Sequence, residues 1–498
     1  MSILEYINSD VFTPVYDNDV PLIRSPRIEA ICKELYNAIL NGEEIFLYGD
    51  YDMDGFCAVN VWIETLKVLY NVRPCVFRYR ARTHALDQDI IRQAQESSAS
   101  VVIINDTGSS IEDRQALSLL RSAGKTPIVI DHHLYQGDYL LDCESRLLFN
   151  SYEEKNILGA EVSGAYAALL VAKVLCDAHF GKALPFNAKV FALASMYSDC
   201  VSLSSDLGRA LYNSVAMTKA PGPDFFVALN QWNYCYSRQF FSFIVAPKIN
   251  GCFRTEQLQT LNSVFDATDR YRVRSVCAEL VKIHGEAREI AALLTPKFTR
   301  ERIGDITVCT HEVTDETRSM HIRNFTGVIA TRVAEEEQSL CLTVVKDGRH
   351  YEGSVRDYYS RNVIDHFKLF CQAGGHSSAF GVMFADLQEV KRHLVMLNKY
   401  LSCEISKPYI TINSTLIEND ADINAIALYN EYMNTESSAV VSHVCTGVKL
   451  ARSTMYNKYY QVGLPTSKLL MTKRTLLDGS IILIEPAICR GVELREKV

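Results

Sequence analysis

No Cys-x-x-Cys pair occurs in this chain, although it holds 15 cysteines. The closest two, Cys235 and Cys252, stand 17 residues apart. Zinc fingers and ribbons need thiols two to four residues apart, so the pattern reads instead as scattered buried thiols in a reducing compartment. A long uncharged apolar run is also missing. The best candidate, Ala165–Cys176, is interrupted by Lys173, and no stretch reaches the roughly 18 residues of a membrane span. The opening MSILEYINSD lacks the basic start and apolar run of a secretory leader. Internal repeats and low-complexity tracts are absent. Together these features predict a cytoplasmic protein with no membrane partner. Positive charge is not in excess either: 51 Lys and Arg against 59 Asp and Glu leave a net charge of −8. Nothing global therefore announces nucleic acid, although the electrostatic footprint of such binding is local.

What is present is ample material for cores: 498 residues, 48% hydrophobic and 22% charged. Roughly 100–200 residues per domain predicts two to four domains. From Glu43 to about Ser205, short apolar runs alternate with helical periods. EEIFLYGD, CVFRYR, SVVIINDTG and KTPIVIDHH read as strands. GFCAVNVWIETLKVLY, DQDIIRQAQES and SSIEDRQALSLLRSAG read as helices. Continuous apolar strands separated by helices predict a doubly wound parallel sheet, whose ligands collect at the carboxyl ends of the strands. The chain is then mostly helical to about Leu294, ending in a long charged helix, RYRVRSVCAELVKIHGEAREIAALL. A mixed α/β unit follows, with a Gly-rich segment, CQAGGHSSAFGV. The last 90 or so residues carry short strands and predict a small β-rich domain, with an OB-like barrel as one form. Domains are expected at 1–215, 216–300, 301–403 and 404–498.

The acids fall at telling places. Asp50, Asp52 and Asp54 follow the first strand in GDYDMDG, and Asp106 ends the third in INDTG. Asp131, His132 and His133 end the fourth in VIDHH, and Asp199 closes an apolar helix in MYSDC. A lone Asp after a strand is usually a turn former or helix cap, and a DHH triplet alone could be a cap with surface histidines. Three acids within five residues repel one another unless cations neutralise them. An EF-hand is disfavoured, because position 12 of its frame is Val61 and a strand precedes the motif. Oxygen ligands with imidazole suit Mn²⁺ or Mg²⁺ better than Zn²⁺. Two such ions about 4 Å apart would bind a phosphate and supply a hydroxide to attack it. The residues read by themselves as a two-metal phosphoesterase.

Over roughly residues 43–385 the chain also resembles the DHH phosphoesterase superfamily, and within it the RecJ-like single-stranded-DNA exonucleases. GDYDMDG, NDTG, DHH and SDCVSL are similar, in order, to its four metal motifs. VSGAYAA resembles its SGAG-type helix start, and SLSSDLGRAL keeps an arginine found after the fourth motif. APKINGCFR resembles the INAAGR segment, and YEGSVRD and AGGHSSAFG resemble the signatures of the DHH-associated domain. The resemblance implies that Asp52, Asp54, Asp106, His132 and Asp199 coordinate two Mn²⁺ or Mg²⁺ ions. It places Asp50, Asp131, His133 and His376 close to the reacting phosphate. Substrate contacts would come from Arg82, Ser163, Arg209, Asn250, Arg254, Ser354, Arg356, Gly374 and Gly375.

The implied activity is 5′→3′ hydrolysis of single-stranded DNA to 5′-mononucleotides. A single-stranded-DNA-binding protein or a helicase is the implied protein partner. The alternative is a small-substrate member, an oligoribonuclease or cyclic-dinucleotide phosphodiesterase, although those tend to carry an HxNPDxD first motif. A non-catalytic relative would have lost its ligands, and here every acid and the DHH histidines are intact. The chain departs from the family pattern in RTHALD, where GYG usually follows the arginine, in CFR for AGR, and at Phe380.

Overall fold

The structure, a computed structural model, describes residues 19–70, 74–79, 86, 88–133, 147–203, 205–216, 218, 220–230, 236–267, 269–358, 361–376 and 378–404, and as backbone strands 409–411, 415–417, 443–445, 450–452, 460–463, 468–475, 481–484 and 493–495. The chain divides into two compact units, one within Pro14–Ala287 and the other from Arg288 onward. Strands are numbered in chain order below, as are helices of nine residues or more.

In the first unit, β1 (Ile45–Gly49), β2 (Cys75–Val76), β3 (Val101–Asn105), β4 (Thr126–Asp131) and β5 (Leu148–Asn150) form one sheet in the order β2-β1-β3-β4-β5. Every pairing is parallel. β1 and β3 are buried at every position, which is what a sheet covered on both faces requires of its sequence. The helices are α1 (Pro26–Leu40), α2 (Met53–Tyr70), α3 (Gln88–Glu96), α4 (Arg114–Ser122), α5 (Gly164–Val174), α6 (Phe186–Ser198) and α7 (Asp206–Ala216). Three more, α8 (Ala246–Thr255), α9 (Leu258–Asp266) and α10 (Arg270–Leu294), complete its numbered helices. α2, α5 and α6 pack together, while α3 packs with α4. The chain leaves β1 towards β2 and then crosses back to β3. The gap between β1 and β3 is thus the point where winding reverses, the place such sheets keep for ligands.

Two expectations are modified. The run CVFRYR contributes only Cys75–Val76 to the ladder. Arg78 and Tyr79 are instead paired by side-chain amides, those of Gln93 and Asn262. The helix read from VSGAYAALLVAKVLCDAHF ends at Val174 and continues as a π-helical turn, Leu175–Phe180.

The second unit is built on a mixed sheet in the order β10-β11-β9-β8-β7-β6. Its strands are β6 (Thr299–Ile303), β7 (Ile306–Glu312), β8 (Leu340–Asp347), β9 (His350–Asp357), β10 (Gln372–His376) and β11 (Ala379–Phe384). Alternation along β7 and β8 sends Ile306, Val308, Leu340, Leu342 and Val344 into a core with Phe367, Phe380, Leu394 and Leu397, closed by α12 (Leu387–Glu404). α11 (Thr326–Glu337) packs on β8 and β9. Phe380, flagged as a departure from the family pattern, is a core residue in edge contact with Phe367. The C-terminal strands form a six-stranded sheet and a separate pair. Among the described residues no helix is long and apolar enough to cross a membrane.

Trp62 ties the first sheet to α2. It is fully buried, and its indole N–H donates to Asn105 Oδ1 at 2.9 Å, while Asn105 Nδ2 donates to the Tyr48 carbonyl at 2.8 Å. Trp62→Phe leaves the Asn105 acceptor unmatched in a dry site. It should cost about 1–3 kcal/mol in urea unfolding without changing the fold.

Candidate metal centre

The loop after β1 is shaped by two glycines. A Cβ on Gly49 would stand 2.2 Å from the Gly55 carbonyl oxygen, and a Cβ on Gly55 would stand 2.3 Å from the Asp50 nitrogen. The backbone thus folds on itself, and only glycine fits at either face of the contact. Inside the loop, Asp52 Oδ1 accepts from the backbone N–H of Asp54 (2.9 Å) and Gly55 (3.0 Å). Asp52 therefore caps the start of α2, and the turn-forming and charge-bearing readings of this motif hold together.

Asp54 is held from far along the chain. The N–H groups of Gly164 and Ala165, at the start of α5, donate to its two oxygens at 2.7 and 2.8 Å, and Ser195 Oγ donates at 2.5 Å. A helix N-terminus with orphan N–H groups is a natural seat for an anion. The same helix start supports Asp106, since a Cβ on Gly164 would fall 2.7 Å from Asp106 Oδ1. Asp106 itself has a positive φ of 62°, as does Cys200 (60°), the residue after Asp199. Two non-glycine residues in left-handed backbone within one cluster mark stored strain of the kind found at functional sites.

Asp131 organises the histidines. Its Oδ1 accepts from the backbone N–H of His132 (2.7 Å) and His133 (3.2 Å) and lies 2.8 Å from His133 Nδ1, while Oδ2 accepts from Ser109 N–H at 3.2 Å. This turn delivers His132 Nε2 to within 3.1 Å of Asp106 Oδ1, 3.4 Å of Asp199 Oδ2 and 3.5 Å of Asp54 Oδ2. Two donor groups result, Asp54–His132–Asp199 and Asp106–His132–His133, each with ligand atoms within 4.8 Å of one another. They share His132, and either could hold a metal ion.

The electrostatics are those of charge confined without enough counter-charge. Burial pushes the Asp106 carboxyl well above the usual carboxylate range, and Asp54, Asp52 and Asp199 push it further. Asp199 is raised in the same way, by burial and then by Asp54 and Asp52. Asp52 is raised too, by burial and then by Asp54. Burial lowers His132, assisted by its neighbour His133, which favours the neutral imidazole that binds metals. On Asp131 burial raises the pKa, but the His133 charge and hydrogen bond outweigh it and hold the carboxyl below the usual range. Burial opposes charge on His133, and Asp131 overcomes it, lifting the ring to about 9. A divalent cation supplies the charge this cluster lacks, and its oxygen-and-imidazole donors fit Mn²⁺ or Mg²⁺.

Other expected site residues fall elsewhere. Asp50 follows β1 but belongs to neither donor group. Ser163, expected to contact substrate, is fully buried. Its hydroxyl caps α5, accepting from Tyr166 N–H at 3.3 Å, and takes a hydrogen bond from Ser195. Arg209 is buried on α7 and bonded to Asp206. Asn250 and Arg254 lie on α8. Arg82 lies outside the described residues.

In the second unit, Ser354 and Arg356 lie on β9, and Gly374, Gly375 and His376 on β10. The His376 side chain is outside the described residues. Arg356 packs over the start of α11: a Cβ on Gly327 would come within 2.9 Å of its Nη2. Thr326 Oγ1 lies 3.1 Å from Ser354 Oγ beside it. No carboxylate pairs with Arg356 among the described residues, and burial lowers its pKa to about 10. The half-buried Arg356 guanidinium, whose Nη1 donates to the Val355 carbonyl at 2.7 Å, thus lies with two hydroxyls at the start of a helix, a combination chemically suited to an anion. Two functional residues are not supplied by the sequence motifs, Gly164 as a support and Ser195. The glycine of VSGAY was the available signal, whereas Ser195 lies in a featureless helix.

Residues 44–195 match the family model described as "DHH family, N-terminal domain". The chain is similar to the single-stranded-DNA-specific exonuclease RecJ of Salmonella typhimurium, with 22% identity over 383 residues, covering 70% of this chain and 64% of that protein. Against the Escherichia coli protein of the same name the identity is 22% over 391 residues, covering 71% and 66%. The match thus spans less than two thirds of either relative. Among solved structures, Thermus thermophilus RecJ in complex with Mn²⁺ superposes with a TM-score of 0.69 at 17% identity, covering 95% of this chain and 73% of that one. The fold is that of RecJ.

Gly164 links the two halves of the cluster, so its replacement should uncouple metal from stability. Added Mn²⁺ at about 100 times its Kd should stabilise the native protein by about 2.7 kcal/mol, a rise of roughly 5–10 °C in Tm. Gly164→Ala should abolish most of that rise in a thermal melt, because the new methyl displaces Asp106.

Proposed function

We propose that this protein is a divalent-metal-dependent phosphodiesterase of the RecJ type, removing 5′-mononucleotides from single-stranded DNA in the 5′→3′ direction. The observation that carries this reading is the convergence of three carboxylates on His132 Nε2 where the sheet reverses its winding. In this reading Asp52, Asp54, Asp106, His132 and Asp199 hold two Mn²⁺ or Mg²⁺ ions, which when bound supply an activated water and neutralise the phosphate. The names of the relatives support single-stranded DNA as substrate.

The chain's own residues have separable tasks. α5 and Ser195 fix both oxygens of Asp54, so its lone pairs are presented in one direction. Asp131 fixes the DHH turn and commits His133 Nδ1. With a side chain 38% exposed against 6% for His132, His133 is the protonatable ring best placed to exchange a proton with solvent. Asp50 and His376 complete the proposed reacting groups. In the second unit the Arg356 cradle, with Ser354, Gly374 and Gly375, binds backbone phosphate. Arg82, Ser163, Arg209, Asn250 and Arg254 are the proposed strand contacts of the first. Action in the cytoplasm beside a single-stranded-DNA-binding protein or helicase, with domains at 1–215, 216–300, 301–403 and 404–498, completes the proposal.

The test is a time course with Mn²⁺ on 5′-phosphorylated single-stranded DNA labelled separately at each end, with a duplex and a dinucleotide alongside. Early release of 5′-labelled mononucleotide from the single strand, with little from duplex, is expected. Cleavage of the dinucleotide alone would instead favour a small-substrate phosphodiesterase. Asp106→Ala should lower the rate by at least three orders of magnitude, because transition-state charge goes uncompensated, while its circular dichroism matches the native protein. Arg356→Ala should raise the KM for single-stranded DNA roughly tenfold, the worth of one charge-assisted contact, with kcat little changed.

A further inference from the structure

Beyond the motif residues, the loop that carries Asp50, Asp52 and Asp54 is held at its base by a tyrosine. Tyr79 Oη donates to the Gly49 carbonyl at 3.1 Å, with the Asp50 carbonyl at 3.4 Å. These two carbonyls flank the point where the loop leaves β1. Tyr79 is fully enclosed, its ring lying edge-on to Tyr51 (5.1 Å), Phe77 (5.5 Å) and Phe253 (5.2 Å). Phe253 is the aromatic residue of CFR, so this departure from the family pattern packs directly against Tyr79.

The backbone of Tyr79 is itself fixed in an unusual way. Asn262 Oδ1 accepts from its N–H at 3.0 Å, and Asn262 Nδ2 donates to its carbonyl at 3.0 Å. Gln93 does the same for Arg78, accepting at 2.9 Å and donating at 3.0 Å. Two side-chain amides thus take the place of a neighbouring strand just where the β2 ladder stops. Asn262 is buried on α9, and Arg78 adds a two-pronged ion pair to Asp266 on the same helix, at 3.1 and 2.9 Å. An amide pair of this precision on one residue costs side-chain entropy and desolvation. The two hydrogen bonds are satisfied only if Tyr79 sits at one place.

We propose that Tyr79, held by Asn262, is a positioning residue for the aspartate loop. Its hydroxyl sets the angle at which the loop leaves β1, and so how the Asp52 and Asp54 carboxylates meet a divalent ion. The inference rests on the metal-dependent reading above. Its chemistry is that of an outer partner that orients ligands without touching the metal, a role worth roughly 10–100-fold in metal affinity.

The test compares native protein, Tyr79→Phe and Asn262→Ala. Mn²⁺ affinity is read from the paramagnetic resonance signal of the free ion, and Tm is measured in metal-free buffer. Tyr79→Phe keeps the ring and removes one hydroxyl. It should weaken Mn²⁺ binding about tenfold and raise the Mn²⁺ needed for half-maximal rate by a similar factor. The KM for DNA and the metal-free Tm should stay near native values. Asn262→Ala should weaken Mn²⁺ binding in the same direction. A lowered Tm with unchanged Mn²⁺ affinity in both variants would reduce Tyr79 to a core residue and overturn the proposal. Failure of the native protein to bind Mn²⁺ would overturn the metal-dependent reading and this inference with it.

Discussion

Asp106 and Asp199 lie where burial and the neighbouring Asp52 and Asp54 carboxylates favour their neutral forms, and much of the first unit acts to hold the cluster together. The counterweight is the start of α5, whose N–H groups grasp Asp54 while Gly164 makes room for Asp106. Remove that helix start and the carboxylates would separate, because nothing else described beside Asp54 donates hydrogen bonds to both its oxygens. Its own requirements propagate outward. The helix needs Ser163 as its cap, Ser195 must reach across from α6, and α2, α5 and α6 must pack closely.

The remaining motif residues divide the work. Asp52 spends one oxygen on capping α2, and Asp131 spends one on the DHH turn and the other on the Ser109 N–H. Neither use conflicts with a charged role. A carboxylate has four lone-pair directions, and one already fixed by backbone N–H groups loses little entropy on meeting an ion. This is why a single Asp-rich loop reads equally well as a turn former and as a ligand set.

The sheet, its parallel direction and the placement of the acids at strands' carboxyl ends or, for Asp199, at a helix end were legible in the sequence, because apolar runs of four to six residues bounded by helical periods admit few other arrangements. The DHH-type motifs were legible as well. The supports were not. Gly164 meets Asp54 across 110 residues and Asn262 meets Tyr79 across 183, and no local pattern announces such pairs. The early end of β2 has the same origin: Phe77 N–H still donates to the Leu47 carbonyl of β1, but Arg78 and Tyr79 find their backbone partners in side chains of α3 and α9. The capping role of Ser163 was not separable in the sequence from a substrate contact, because a serine before a glycine at a helix start signals a cap and an anion site alike.

The boundary between the two units falls at Ala287–Arg288, inside α10. The buried positions of that helix, Cys277, Leu280, Ile283, Ala287, Ala291 and Leu294, follow one another at spacings of three and four straight through it. A boundary of this kind offers a protease no extended segment to grip. It also gives the biochemist no natural place to cut: a fragment ending at Ala287 would expose a severed helix with four unsatisfied carbonyls. A fragment of either unit would therefore have to carry the whole of α10 to keep that helix intact.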